Sequence, residues 1–198
     1  MTSVDLSGNK LSKLRQLLCC NLRSLKVDNN QIDSCELVSH PTLTSISAVK
    51  NKLKNLEGFH NLGELTNLNL ASNEITSLQG IRGCNKLQNL NLQGNKIVTF
   101  EDVPYLPGLE KLNLHSNPIT DLAEIGKLIT FKALTDLNLL ESPLAEEKGD
   151  DLKKEVLILL DGLDIKKFNE EEVSADDITE AKAEKAQRIK DAEEARLA

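Results

Sequence analysis

The sequence predicts an α/β solenoid in which short leucine-rich repeats stack one on another. The pattern L-x-x-L-x-L-x-x-N-x-L recurs along residues 1–145, and its asparagine returns every 21 or 22 residues from Asn9 to Asn117. This period is typical of leucine-rich repeats, in which each copy supplies one short strand and one turn. Aromatic residues make up only 3% of the chain and Trp is absent, which suits a core of stacked Leu and Ile side chains.

The repeats begin and end with imperfect copies. A partial copy covers residues 4–11, and a degenerate copy covers residues 134–144, where Ser142 replaces the asparagine and Pro143 follows. In each copy the L-x-L pair should form a strand whose leucines point inward, because alternate side chains of a strand face opposite sides. The asparagine should turn into the core and bind backbone groups that the turn leaves unpaired. Complete copies start at Leu22, Leu43, Leu65, Leu87 and Leu109.

The strand residues that point outward should line the concave face of the solenoid, which is small, polar and nearly uncharged. Asparagine is disfavoured in strands, so its repetition there is either a tolerated feature of a solvated strand or a stripe of amides that binds a partner. The face lacks the Trp, Tyr and Arg that dominate most interfaces, so binding would need many modest contacts. The candidate protein-binding residues are Asn67, Asn69, Asn89, Asn91, Gln93, Lys111, Asn113, His115 and Asn138.

The last part of the chain has a different pattern. Residues 146–165 should cap the solenoid, because Leu152, Val156 and Leu160 recur at helical spacing and an uncovered last repeat would expose apolar surface. Asp161 and Gly162 should end that helix. Residues 166–198 should form a charged helical tail, either solvated or extended along a partner. At the other end, Val4 and Leu6 begin a repeat with no polar cap before them, so the first turn should be frayed or covered by something else.

The charge distribution and the side-chain inventory exclude several classes of function. The solenoid region is neutral, and the net charge of −7 arises from residues 146–198, which argues against a nucleic-acid partner. We expect no membrane span, since no apolar run is long enough, and no signal peptide. The four cysteines lack metal-ligand spacing, and a reduced, cytoplasmic protein is expected. His40, His60 and His115 lie in different repeats, so we expect no catalysis, cofactor, metal or small-molecule substrate.

The chain resembles the 22-residue intracellular leucine-rich-repeat class that includes the Sds-type phosphatase regulator. Within it, the sequence is most similar to the radial-spoke leucine-rich-repeat family of cilia, that of leucine-rich repeat-containing protein 23. Residues 153–160 resemble the cap of that family, and residues 166–172 resemble its Phe-then-acidic run. An acidic N-terminal extension of the family is missing here, and the cap lacks an aromatic residue at Leu152. Further matching stretches are residues 4–9, 106–117, 124–128 and 137–144.

The resemblance implies a structural adaptor of the ciliary or flagellar axoneme, at or near a radial spoke. Its partners would be other radial-spoke or axonemal proteins, and its location would be the cytoskeleton of the cilium. The alternative is a regulatory subunit of a protein phosphatase or a similar signalling adaptor. Such a regulator would use acidic and aromatic residues on the concave face, where this sequence places only Asp28 and Asp136, with Asp5 at the edge.

Overall fold

A computed structural model describes residues 2–15, 21–37 and 40–197. The predicted α/β solenoid is confirmed. The described strands are β1 Ser3–Asp5, β2 Lys13–Leu14, β3 Ser24–Lys26, β4 Ser34–Cys35, β5 Ser45–Ser47, β6 Asn67–Asn69, β7 Asn89–Asn91, β8 Lys111–Asn113, β9 Asp136–Asn138, β10 Lys167–Phe168 and β11 Glu171–Glu172. Within the described residues, nine of them form one sheet in the order β1-β3-β5-β6-β7-β8-β9-β10-β11, and β2 pairs with β4 in a second sheet.

The parallel strands of the solenoid are in exact repeat register. Leu68 of β6 pairs with Leu90 of β7, and Leu90 pairs with Leu112 of β8. Each of these leucines is 1% exposed, so the central residue of each of these strands points into the stack as the alternation predicts. A buried leucine contributes roughly 1.5–3 kcal/mol relative to an exposed one. Because a single turn cannot bury its own apolar face, the stability comes from neighbouring turns packing on one another.

The asparagine ladder has the structural role that the repeat predicts. The Nδ2 of Asn95 donates to the carbonyls of Leu92 in its own turn and of Leu70 in the preceding turn, and its Oδ1 accepts from the N–H of Ile75. Each ladder asparagine from Asn30 to Asn117 is buried and binds the preceding turn in this way. Asn9 lies in the first described turn, where it is exposed and makes local hydrogen bonds to the carbonyls of Leu6 and Ser7.

The convex side is irregular over most of the solenoid and becomes helical near its end. A short helix, α1, spans Leu122–Gly126 and continues into a 3-10 turn at Lys127–Thr130. Asp121 caps α1 by accepting from the N–H of Ala123. The few aromatic side chains of the chain are concentrated in the core, since Phe59, Phe100 and Phe131 are fully buried.

The end of the solenoid is built by two helices and a hairpin. Helix α2 spans Pro143–Lys148, and Ser142 caps it by accepting from the N–H of Ala145 while donating to the carbonyl of Leu139. The serine therefore keeps the ladder asparagine's bond to the carbonyl three residues earlier. Its hydroxyl oxygen also accepts from the first turn of α2 and so caps that helix. Helix α3 spans Asp151–Leu159 and buries Leu152 and Val156, as the sequence predicts.

The expected boundary of the tail at residue 166 differs from the structure. Strand β10 pairs in parallel with β9, and it turns back through β11. Ile165 and Phe168 are each 3% exposed, so residues 166–172 belong to the cap. The physical reason is that the open edge of β9 must be paired or covered, and a two-residue strand with one buried Phe does so.

A helix α4 spans Ala175–Leu197, as the expected helical tail, but its first half packs on α3. Ser174 and Asp177 form a capping box at its start. Ala181 is buried, and the residues from 186 to 197 are exposed. The helix is thus docked from its start to Arg188, which binds Glu155 of α3, and its last residues, 189–197, are exposed.

The remaining expectations concern the ends, the cysteines and the membrane. Val4 and Leu6 are half-buried at the edge of the sheet. Cys19 and Cys20 lie outside the described residues, while Cys35 and Cys84 are buried free thiols; burial raises the pKa of the Cys35 thiol to about 12. In the described part of the chain, no helix has both the length and the apolar character that a bilayer span requires.

Candidate protein-binding site on the concave face

The concave face carries a shallow groove of about 670 Å³ across strands β3 to β8. Its floor is the sheet itself, including the central residues of β5, β6 and β7, and the rest of its lining comes from outward-pointing strand residues and from the turns that follow them. These residues are Lys26, Asp28, Asn29, Ser45, Ile46, Ser47, Val49, Lys50, Asn67, Leu68, Asn69, Asn89, Leu90, Asn91, Lys111 and Asn113. The groove therefore gathers six of the nine predicted site residues at one surface.

Three asparagines at the ends of consecutive strands divide their amides between two roles. The Oδ1 of Asn91 accepts from the N–H of Gln93 at 3.0 Å, and Asn69 and Asn113 make the same bond two residues onward. This is an Asx turn, in which the side chain stands in for a backbone acceptor. The oxygen of each of these asparagines therefore has a structural role that needs no ligand.

The other half of each amide has no partner among the described residues. Since a backbone N–H can only donate, the atom that accepts from it must be Oδ1, and Nδ2 must point away from the turn. The Nδ2 groups of Asn69, Asn91 and Asn113 consequently form a row of donors on adjacent strands, about 5 Å apart. Such a row can bind the carbonyl or carboxylate oxygens of a protein segment.

The first residues of β6, β7 and β8 form a second outward row, which is also polar but uses its amides differently from the row of Asn69, Asn91 and Asn113. The Nδ2 of Asn89 donates to the Oδ1 of Asn67 at 2.7 Å, and Asn67 donates to the hydroxyl of Thr66. These two amides are tied to one another across the strands, which organises the rim of the groove. Lys111 is in register with Asn89 on the neighbouring strand β8, and its side chain is exposed.

The three other predicted residues lie away from this groove. Gln93 and His115 are half-buried, two residues after Asn91 and Asn113 respectively. The Nε2 of His115 lies 2.9 Å from a carboxylate oxygen of Glu141. Asn138 is only 6% exposed, because the β10–β11 hairpin covers it and Glu170 accepts from its Nδ2. The expectation that Asn138 faces a partner is therefore replaced by a role in holding the cap.

The structure adds groove residues that sequence reasoning left out of the site. Lys50 follows β5 in a left-handed turn (φ 55°), so its place in the groove depends on turn geometry that the strand pattern does not show. Asp28 accepts from the hydroxyl of Ser47 and from the N–H of Val49. Where Ser47 replaces the asparagine of later turns, Asp28 of the preceding turn thus supplies the missing acceptor. Ser47, in register with Asn69, Asn91 and Asn113, is the sequence signal for this exchange.

The groups that line the groove are suited to binding. Among residues 2–15, 21–37 and 40–197, no group of three or more His, Cys, Asp and Glu side chains could hold a metal ion. The groove lining contains no His or Cys and a single carboxylate, Asp28. Its amides, hydroxyls and ammonium groups can form hydrogen bonds and ion pairs with a polar ligand.

Comparisons with known proteins agree with this architecture. A family model described as leucine-rich repeat matches residues 67–195, and no curated protein matches significantly. A chain of the SNF/U2A' complex of Drosophila melanogaster aligns with a TM-score of 0.56 at 16% identity, over 96% of this chain and 99% of that one. The internalin InlF of Listeria monocytogenes aligns with a TM-score of 0.55 at 20% identity, over 85% of this chain and 61% of the internalin.

The structural neighbours share the fold of this chain, and the family match covers more than half of its length. Repeat solenoids of this kind present extended concave surfaces to protein partners and typically serve as scaffolds without catalytic activity. The chain belongs to the leucine-rich repeat family.

Proposed function

We propose that this protein is a non-catalytic structural adaptor of the ciliary or flagellar axoneme, at or near a radial spoke. It would hold axonemal proteins against its concave face. The observation that carries the adaptor role is the groove itself, which displays unpaired amide donors from Asn69, Asn91 and Asn113 over a rigid, repeat-registered floor. This role requires no cofactor, because the groove would hold a partner by hydrogen bonds and ion pairs.

The scaffold is well suited to such a role. Every ladder asparagine from Asn30 to Asn117 ties its turn to the one before it, so the outward side chains keep their spacing. Preorganised donors of this kind reduce the entropy that binding must overcome. The Drosophila neighbour is part of a complex of SNF with U2A', which illustrates the use of this fold within an assembly.

The axonemal location is supported by the resemblance of residues 153–160 and 166–172 to the radial-spoke family. Residues 153–160 lie in α3 and its end, and residues 166–172 contain β10 and β11. Both segments are parts of the cap, and neither is a repeat. They therefore carry more information about the family than the repeats, whose pattern recurs in many proteins. The exposed residues 189–197 of α4 offer a further surface to neighbours.

Localisation of a tagged copy in ciliated cells tests this proposal. We expect the protein to remain with axonemes after detergent extraction, whereas the tag alone is washed away. Mass spectrometry of what co-purifies under mild extraction should identify radial-spoke proteins. A protein that is diffuse in cytosol or nucleus and absent from extracted axonemes contradicts the axonemal role. Stoichiometric co-purification of a phosphatase catalytic subunit would favour a regulator of the Sds type instead.

A further inference from the structure

The concave groove has a one-sided chemistry that specifies its partner more closely. On the basis of the adaptor function proposed above, we infer that the groove takes an extended, acidic segment of a protein partner. The groove presents hydrogen-bond donors and cations, while its single carboxylate and four of its six side-chain amide oxygens already accept hydrogen bonds within the chain. A partner must therefore bring oxygen acceptors and negative charge.

The cations of the groove are unpaired. Lys26, Lys50 and Lys111 are exposed and line it, and none of them has a carboxylate within salt-bridge distance in the described part of the chain. Other surface lysines do have such partners, as Lys86 does with Glu64 at 2.7 Å and Lys96 with Glu74 at 3.0 Å. The groove thus keeps positive charge free in a protein whose net charge is −7.

Most of the carboxylate and amide acceptors of the groove are occupied. The carboxylate of Asp28, the only one in the lining, accepts from Ser47 and from the N–H of Val49. The Oδ1 atoms of Asn69, Asn91 and Asn113 accept in their Asx turns. Asp5 and Asp136 lie outside the groove on the flanking strands, in register with Lys26 and Lys111 respectively. They would repel an acidic segment that extended past either end.

The spacing of the charges suggests the length of the segment. Lys26 lies on β3 and Lys111 on β8, which are four strand intervals apart. Lys26 is in register with Asn113, two residues beyond Lys111 on β8. At about 4.8 Å per interval and about 3.3 Å per residue, the two lysines are roughly 20 Å apart, which an extended peptide spans with about six residues. Acidic side chains near both ends of such a peptide would reach the two lysines. Its central backbone would lie over the free amides.

A peptide fits these features better than a nucleic acid does. Single-stranded nucleic acids are bound by many cations together with aromatic side chains on which bases stack. The lining of the groove has three lysines, no arginine and no aromatic residue. A short acidic segment requires only the few cations and donors that are present.

Selection from a random library of displayed 12-residue peptides on the full chain tests the inference. We expect the enriched peptides to carry an excess of Asp and Glu. Synthetic versions should bind Lys26→Gln/Lys111→Gln at least about tenfold more weakly than wild type, and binding should weaken as salt rises. The matched control Lys54→Gln/Lys132→Gln changes two exposed lysines outside the groove and should bind within about twofold of wild type.

A second variant tests the amide donors without disturbing the turns. Asn69→Asp/Asn113→Asp retains the oxygen of each Asx turn and replaces the free donor with a charged acceptor. We expect this variant to fold and to bind the acidic peptides no longer. Enrichment of neutral or basic peptides would overturn the inference, although groove-dependent binding of those peptides would leave the adaptor role standing. The inference would also be overturned if a 12-nucleotide oligouridine bound more tightly than the acidic peptides and if Lys26→Gln/Lys111→Gln abolished that binding.

Discussion

At the scale of the residue, asparagine has two distinct roles that differ in where its amide points. Asn95 points inward, where it binds the N–H of Ile75 and the carbonyls of Leu70 and Leu92, which are buried backbone groups of two turns. Asn91 points outward, and only its Oδ1 is bound, to the N–H of Gln93. The inward amide therefore contributes to stability, whereas the outward amide retains a donor for a partner.

Replacing a ladder asparagine should destabilise the fold strongly. Asn95→Ala leaves the N–H of Ile75 and the carbonyls of Leu70 and Leu92 without this partner, and buried unsatisfied groups cost about 1–3 kcal/mol each. Because neighbours relax, we expect a loss of about 2–4 kcal/mol in the free energy of unfolding, measured by urea denaturation. Asn9→Ala is the matched control at the same repeat position. Its exposed side chain predicts a change below about 0.5 kcal/mol, and equal losses for both variants would refute the ladder's role.

At the scale of the element, the cap extends further than the amphipathic pattern indicates. Helix α3 is readable from Leu152 and Val156, because helical spacing is a strong signal. Strand β10 has only two residues, and its burial rests on Phe168. A two-residue strand has no periodicity, so its pairing with β9 follows from the need to cover an edge and is visible only in three dimensions.

Two truncations distinguish the cap from the helix that follows it. Ending the chain after Gly162 removes Ile165, Phe168 and the strand that pairs with β9, and we expect a lower melting temperature and a tendency to aggregate through the open edge. Ending it after Ser174 removes α4 alone, and the solenoid should remain folded with a smaller loss. If both truncated proteins melted at the same temperature, β10 and β11 would not be part of the cap.

Ion pairs on one face dock α4 on the cap. Arg188 donates two hydrogen bonds to Glu155, and Lys185 donates one to Asp161. The Arg188 guanidinium holds the pKa of Glu155 below its ordinary value, and Lys185 does the same to the pKa of Asp161. Hydrogen bonds from Ser174, followed by the nearby Lys153, lower the pKa of Asp177.

Acid should therefore release α4 before the solenoid unfolds. A carboxyl whose folded pKa is lowered stabilises the docked state above its ordinary pKa, and that contribution is lost as pH falls through the folded value. We expect the amides of α4 to lose protection from hydrogen exchange as pH falls below about 4, after correction for the intrinsic exchange rate. Arg188→Gln should reduce protection already at pH 7, whereas the exposed Lys190→Gln should not. Unchanged protection of α4 down to pH 3 would contradict this docking.

At the scale of the whole molecule, the fold follows from the repeat because every copy specifies the same inward leucines and the same asparagine. The site is less predictable. The outward columns identify Asn69, Asn91 and Asn113, but the sequence does not show that each oxygen is consumed by an Asx turn. Nor does it show that the hairpin covers Asn138, since Glu170 lies 32 residues away along the chain. Such long-range contacts depend on how the cap folds back.

The central claim is that the concave groove holds the partner, and blocking the groove in ciliated cells tests it most directly. Ser45→Trp/Asn67→Trp fills the groove at two positions that take no part in the ladder or the Asx turns, while Thr76→Trp/Asn85→Trp places the same side chains at exposed sites outside it. The measurement is the fraction of each tagged, folded variant retained in detergent-extracted axonemes. We predict that the groove variant falls at least about tenfold below wild type and that the control equals wild type. Equal retention of both variants would contradict the account and assign docking to another surface.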